Sequence, residues 1–82
     1  MNPVITFINM QHRNPDQIDC IMIRRNAEKQ LQVNGQMRLG QLIFAEAYSK
    51  FPEAVNNLRN TKFDCYYDDD RIDLFLLELQ TS

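Results

Sequence analysis

The chain has 82 residues and a formal net charge of −2, with 44% hydrophobic and 24% charged residues, two glycines and three prolines. That length fits one domain around one core, and the few glycines and prolines argue against disorder and against a turn-rich β fold. The near-balanced charge gives no protein-wide field that would draw in nucleic acid.

The opening Met1-Asn2-Pro3-Val4-Ile5-Thr6-Phe7-Ile8 lacks a basic leader region and a small-residue cleavage site. No apolar run approaches the ~20 residues that cross a bilayer. A soluble, cytoplasmic protein with no membrane partner is the expectation. Residues 4–9 are β-branched and aromatic, so residues 1–12 are expected to form an N-terminal strand or extended arm ahead of a helical core over 13–82.

Asn14-Pro15-Asp16-Gln17 predicts a helix start, with Asn14 as cap, Pro15 in the first helical position and Gln17 in the capping-box position. The helix is expected to reach about Val33 and to end at Asn34-Gly35, the glycine taking the left-handed conformation. Cys20-Ile21-Met22-Ile23 is apolar all round, so a hairpin of residues 4–10 with 18–24 is an alternative. Leu39, Leu42, Ile43 and Ala47 share one face of a second helix over 37–50. Pro52 starts a new element, in which Ala54, Val55 and Leu58 form a short apolar stripe before Asn60-Thr61-Lys62.

In the last helix, Asp68, Asp69 and Asp70 are expected to supply the cap and the favourable negative charge at its start. Ile72, Phe75, Leu76 and Leu79 follow at core spacing, while Leu74 and Leu77 fall on the opposite side, the position of an interface. The fold class is therefore mainly α: a small three- to four-helix domain with an N-terminal strand or arm, or, in the alternative, α+β with an N-terminal β-hairpin. The expected core includes Ile18, Leu39, Leu42, Ile43, Val55, Leu58, Ile72, Phe75, Leu76 and Leu79.

Three segments in order, Arg13-Asn14-Pro15-Asp16-Gln17-Ile18, Arg38-Leu39-Gly40-Gln41-Leu42-Ile43 and Asp64-Cys65-Tyr66-Tyr67-Asp68-Asp69-Asp70, resemble a family of small bacterial and phage proteins of uncharacterised activity. Its pattern is R-[DN]-P-x-x-I, then R-x-G-Q-L-I, then D-x-[FY]-Y-x-x-D leading into a final helix. The resemblance spans roughly residues 12–79. It departs in the N-terminal arm, in the stretch from Ile18 to Gln36, which lacks the family's aromatic and its P-D before the arginine, and in an insertion around 51–62. The resemblance implies a helical, phage- or prokaryote-type protein and carries over no catalytic residue.

Catalytic chemistry finds little support. The single histidine, His12, lies in a polar stretch, and nothing in the spacing brings Cys20, Cys65 or Ser49 to it. The two cysteines are too far apart for a thiol metal site and read as ordinary buried thiols. The acids Asp64, Asp68, Asp69, Asp70 and Asp73 lack the glycine and the closing glutamate of a calcium loop. No catalytic residue, cofactor or metal is therefore assigned.

Tyr66 and Tyr67 beside those acids suit a contact surface instead, since tyrosine combines apolar area with a hydroxyl at little entropic cost. The leading expectation is a non-enzymatic protein-interaction module, a phage- or mobile-element-type regulator or inhibitor of a host or defence protein (anti-CRISPR-like). It would bind a partner with a basic surface through Tyr66, Tyr67, Asp68, Asp69, Asp70, Leu74 and Leu77, with homodimerisation open. The alternative is a small helix-turn-helix DNA-binding regulator in which Arg38 and Gln41 read bases from a helix start.

Overall fold

The computed structural model describes residues 14–81. The N-terminal strand or arm expected over 1–12, and with it His12, lies outside the described residues. Among the described residues four α-helices follow one another: α1 (Gln17–Val33), α2 (Leu39–Lys50), α3 (Pro52–Leu58) and α4 (Ile72–Leu79), the last preceded by a 3-10 turn, Asp69–Arg71. The chain is mainly helical as expected, with no strand among the described residues. Residues 18–24 are helix, so the hairpin pairing them with residues 4–10 is ruled out.

The start of α1 differs from expectation in its chemistry. The cap is Asp16, not Asn14, and Gln17 is the first helical residue rather than the reciprocal partner. The Asp16 carboxylate accepts from the Asp19 N–H at 2.8 Å, and Asp19 returns the contact by accepting from the Asp16 N–H at 3.0 Å. These two bonds satisfy donors that a helix start otherwise leaves open. Pro15 and Cys20, both buried, occupy the positions of a hydrophobic staple around this cap.

Helix α1 ends where predicted, but Gly35 keeps a negative φ. The stop rests on Asn34, whose Oδ1 accepts from the Gln36 N–H at 3.3 Å, a local turn that needs no left-handed residue. Among the described residues the positive φ is at Asn60, 62°, just beyond α3, where asparagine tolerates it better than most residues.

Helix α2 is the centre of the fold, touching α1, α3 and the 3-10 turn. Cys20, Ile23 and Ala27 on α1 meet Leu42, Ile43, Phe44 and Ala47 on α2, Val55 and Leu58 on α3, and Ile72, Phe75, Leu76 and Leu79 on α4. Of the expected core, Leu39 is only half-buried and Ile18 is 69% exposed. The apolar run over 20–23 explains the error. Cys20 and Ile23 point inward, which turns Ile18, Ile21 and Met22 to the outside.

Helices α1 and α4 run antiparallel. The Cys20 thiol donates to the Leu76 carbonyl oxygen at 3.4 Å, and one turn further along α1 Arg24 reaches back to Asp73. No helix among the described residues is long and apolar enough to cross a membrane.

Candidate interaction surface

The segment over 59–71 has little regular structure, yet it is held at many points. Asp64 is buried, and its carboxylate accepts from the Asn60 N–H at 2.7 Å and from the Tyr66 N–H at 2.9 Å. These bonds fold the loop around one side chain, as a buried carboxylate requires. Asp68 caps the 3-10 turn by accepting from the Asp70 N–H at 2.9 Å.

Asp69 does something the sequence did not announce. It turns away from α4 and onto the start of α2. One of its oxygens accepts from the Gly40 N–H at 2.9 Å and from the Arg38 guanidinium at 3.0 Å. Arg38 also donates to the Tyr66 carbonyl at 2.6 Å, and the Cys65 thiol donates to the Gly40 carbonyl at 3.4 Å. Asp69 thus caps a helix whose N-cap residue, Arg38, lies 31 positions earlier, placing negative charge where the helix dipole favours it.

Gly40 permits this approach. A Cβ there would stand 2.3 Å from the Cys65 carbonyl oxygen and 2.6 Å from Asp69 Oδ1. A lone glycine inside a helical pattern is a sign of such close approach. The second and third of the three sequence segments are therefore clasped together, while Asp16 of the first caps its own helix.

The aromatic side chains climb from core to surface. The Phe44 ring packs on the buried Phe75 at 5.8 Å between centroids. Tyr66 meets Phe44 edge-on at 5.4 Å, and Tyr67 meets Tyr66 at 4.9 Å. Such pairs hold a ring in place beyond what simple burial does. Tyr67, at the outer end, is 76% exposed.

Further along, Leu74 and Leu77 are 50% and 61% exposed. Asp70, Leu74 and Leu77 follow at helical spacing on the outer side of α4 and its 3-10 entry. Asp73 and Glu78 flank this stripe, and the Asp70 carboxylate has no partner among the described residues.

The seven expected contact residues thus divide. Tyr67, Asp70, Leu74 and Leu77 face outward. Tyr66 is half-buried under Tyr67, and the carboxylates of Asp68 and Asp69, though open to solvent on one side, bond back onto the chain. The two expected base readers are turned onto the protein itself: Arg38 onto Asp69 and Tyr66, and Gln41 back onto the Arg38 N–H, which it accepts at 3.1 Å. A helix-turn-helix reader needs those groups aimed at solvent.

Reasoning from sequence missed one further residue, Arg59. Its guanidinium lies over the Phe44 ring at 5.2 Å and the Tyr48 ring at 5.4 Å, and its Nε donates to Asn56 Oδ1 at 3.3 Å. It borders a cleft of about 230 Å³ lined also by Phe44, Asn60, Asp64, Tyr66 and Tyr67. The signal available was the aromatic pair Phe44 and Tyr48, four residues apart on α2, which creates one aromatic face for a cation.

Both cysteines are free and buried. Burial, reinforced by the neighbouring Asp64 charge, pushes the Cys65 thiol up to about 12, and burial raises Cys20 as well. Both are protonated at neutral pH, the opposite of an activated nucleophile. Among the described residues no group of three or more His, Cys, Asp or Glu side chains is placed to hold a metal ion. No known protein family, curated protein or solved structure matches this chain.

Proposed function

We propose that this protein is a non-enzymatic interaction module that binds a partner protein through the outer side of α4 and the exposed Tyr67. The observation that carries the reading is that Tyr67, Leu74 and Leu77 stay exposed while the chain beneath them is fixed by Asp64, Asp68 and Asp69. A pre-ordered apolar patch loses little freedom on binding, and aromatic anchors supply much of the energy at such interfaces.

Asp70 and Glu78 beside the patch favour a partner whose contact surface carries cations at its rim. The class of partner we favour, a host or defence protein met by a phage- or mobile-element-type regulator, follows from the sequence resemblance and not from the surface chemistry.

The test is affinity capture of the tagged protein from a nuclease-treated bacterial lysate, with the parent and the double variant Leu74→Glu, Leu77→Glu compared side by side. The expected result is one dominant stoichiometric protein with the parent and its loss with the variant. Both leucines are exposed, so the variant is expected to melt close to the parent. Equal capture by both proteins removes α4 from the interface. Nucleic acid that co-purifies only when nuclease is omitted, with no protein partner, overturns the reading in favour of DNA binding.

A further inference from the structure

The structure assigns a second element of recognition: the cleft bordered by Arg59 and Tyr67 takes an acidic side chain of the partner protein. This inference rests on the interaction reading above and names one group that the partner offers.

Three other arginines rest on aspartates. Arg24 pairs with Asp73, Arg38 with Asp69 and Arg71 with Asp68. Arg59 is oriented differently. Two aromatic rings lie beneath its guanidinium and an amide oxygen takes its Nε. Neither of its terminal nitrogens has a partner among the described residues.

Arg59 is thus a planar donor fork, held in position and with no carboxylate bound to it. Such a fork matches a carboxylate with two parallel hydrogen bonds. Asp64, the acid in the same cleft, does not fill that role. It makes no ion pair with Arg59, and its two oxygens each already accept a backbone N–H.

The cleft volume is of the order of one side chain, and the exposed Tyr67 ring offers a flat apolar wall for the methylenes of a glutamate. The partner surface implied has mixed sign: cations around the apolar patch on α4, and one carboxylate at Arg59.

The experiment is an NMR titration of the labelled full chain, reading the Arg59 Nε–H and Tyr67 amide resonances. The probes are three short peptides: Ac-Ala-Glu-Ala-amide, the same peptide with Gln, and Ac-Ala-Gln-Ala with a free C-terminus. The expected result is saturable shifts at both resonances with the Glu peptide, at least tenfold weaker with the Gln peptide. Arg59→Gln should abolish these shifts, and Arg59→Lys, which keeps the charge and loses the fork, should weaken binding severalfold.

Equal binding of the Glu and Gln peptides overturns the proposal, as do equal shifts at Arg24, Arg25 and Arg71, or binding of the free C-terminus alone. Where Arg59→Gln does not fold, the parent titration and Arg59→Lys still decide. Partner capture separates the two readings. A partner lost from the α4 variant but kept by Arg59→Lys at undiminished affinity defeats the cleft and leaves the module. Peptide binding by a chain that captures nothing supports the cleft and defeats the module.

Discussion

Asp69 and Asp70 are adjacent and carry the same side chain, yet the fold uses them in opposite ways. Asp69 turns back onto the protein and joins the 3-10 turn to the first turn of α2. Asp70 faces outward with its carboxylate unpartnered among the described residues, in line with Leu74 and Leu77. The same division runs through the tyrosines: Tyr66 packs on Phe44, while Tyr67 stands on Tyr66 and presents its ring to solvent. One short segment thus has a side that builds the fold and a side left for contact. What separates the two aspartates, both exposed, is hydrogen bonding, and what separates the two tyrosines is burial; residue type separates neither pair.

Substitutions can break or sharpen that comparison. The largest effect belongs at the root of the aromatic stack. Phe75 is fully buried, and Phe75→Ala should cost about 3–5 kcal/mol, a large share of the roughly 4–12 kcal/mol expected for a domain of this length. Thermal melting that moves by only a degree or two would show that the stack is not anchored there.

Gly40→Ala comes next. Its Cβ meets a backbone carbonyl that cannot swing aside, so a loss of about 1–3 kcal/mol is expected in chemical denaturation. Asp69→Ala should cost about 1 kcal/mol, the usual loss for a helix cap, and a neutral result would remove Asp69 from the inner side.

The buried thiol supplies a pH dependence. The unfolded chain gives up the Cys65 proton near pH 9, whereas the folded chain keeps it to about pH 12. The unfolded state therefore binds fewer protons in that window, and stability falls as pH rises through it. At pH 9.5 the loss should be about 0.8 kcal/mol. Cys65→Ala should remove this share when each protein is compared with itself at pH 7.5, leaving the loss of the same sign that the raised Cys20 thiol supplies.

The smallest effect is expected for Asp70→Ala, within about 0.5 kcal/mol of the parent. A loss matching that of Asp69→Ala would erase the distinction between the two sides.

Much of this architecture is legible in the residues. The periodicity of 39–47 and 72–79, the stop near Asn34-Gly35 and the start at Pro52 all correspond to observed helices. These signals are local, and local geometry decides them. The failures have a common cause in tertiary placement. Ile18 fits an apolar pattern, but the packing of Cys20 and Ile23 fixes the rotation of α1 and leaves it outside. The run Asp68-Asp69-Asp70 reads as a cap for the helix it precedes. Which of the three turns elsewhere depends on Gly40, a position 29 residues away. Exposure of Leu74 and Leu77 was readable from spacing alone, because α4 has only one side to bury. Arg59 was not, since its position follows from rings carried by another helix.

The borrowed cap on α2 also bears on the order in which the chain can assemble. Arg38, at the position just before α2, provides no side-chain acceptor for the helix, and the Gly40 N–H finds its acceptor only in Asp69. A nascent chain that has emerged only as far as α3 carries α2 without that acceptor, so its first turn should fray until the 3-10 turn arrives. Helix completion and loop docking then become a single cooperative event. Hydrogen exchange at the Gly40 amide should report the opening of the 65–69 loop, although the two lie in different parts of the sequence.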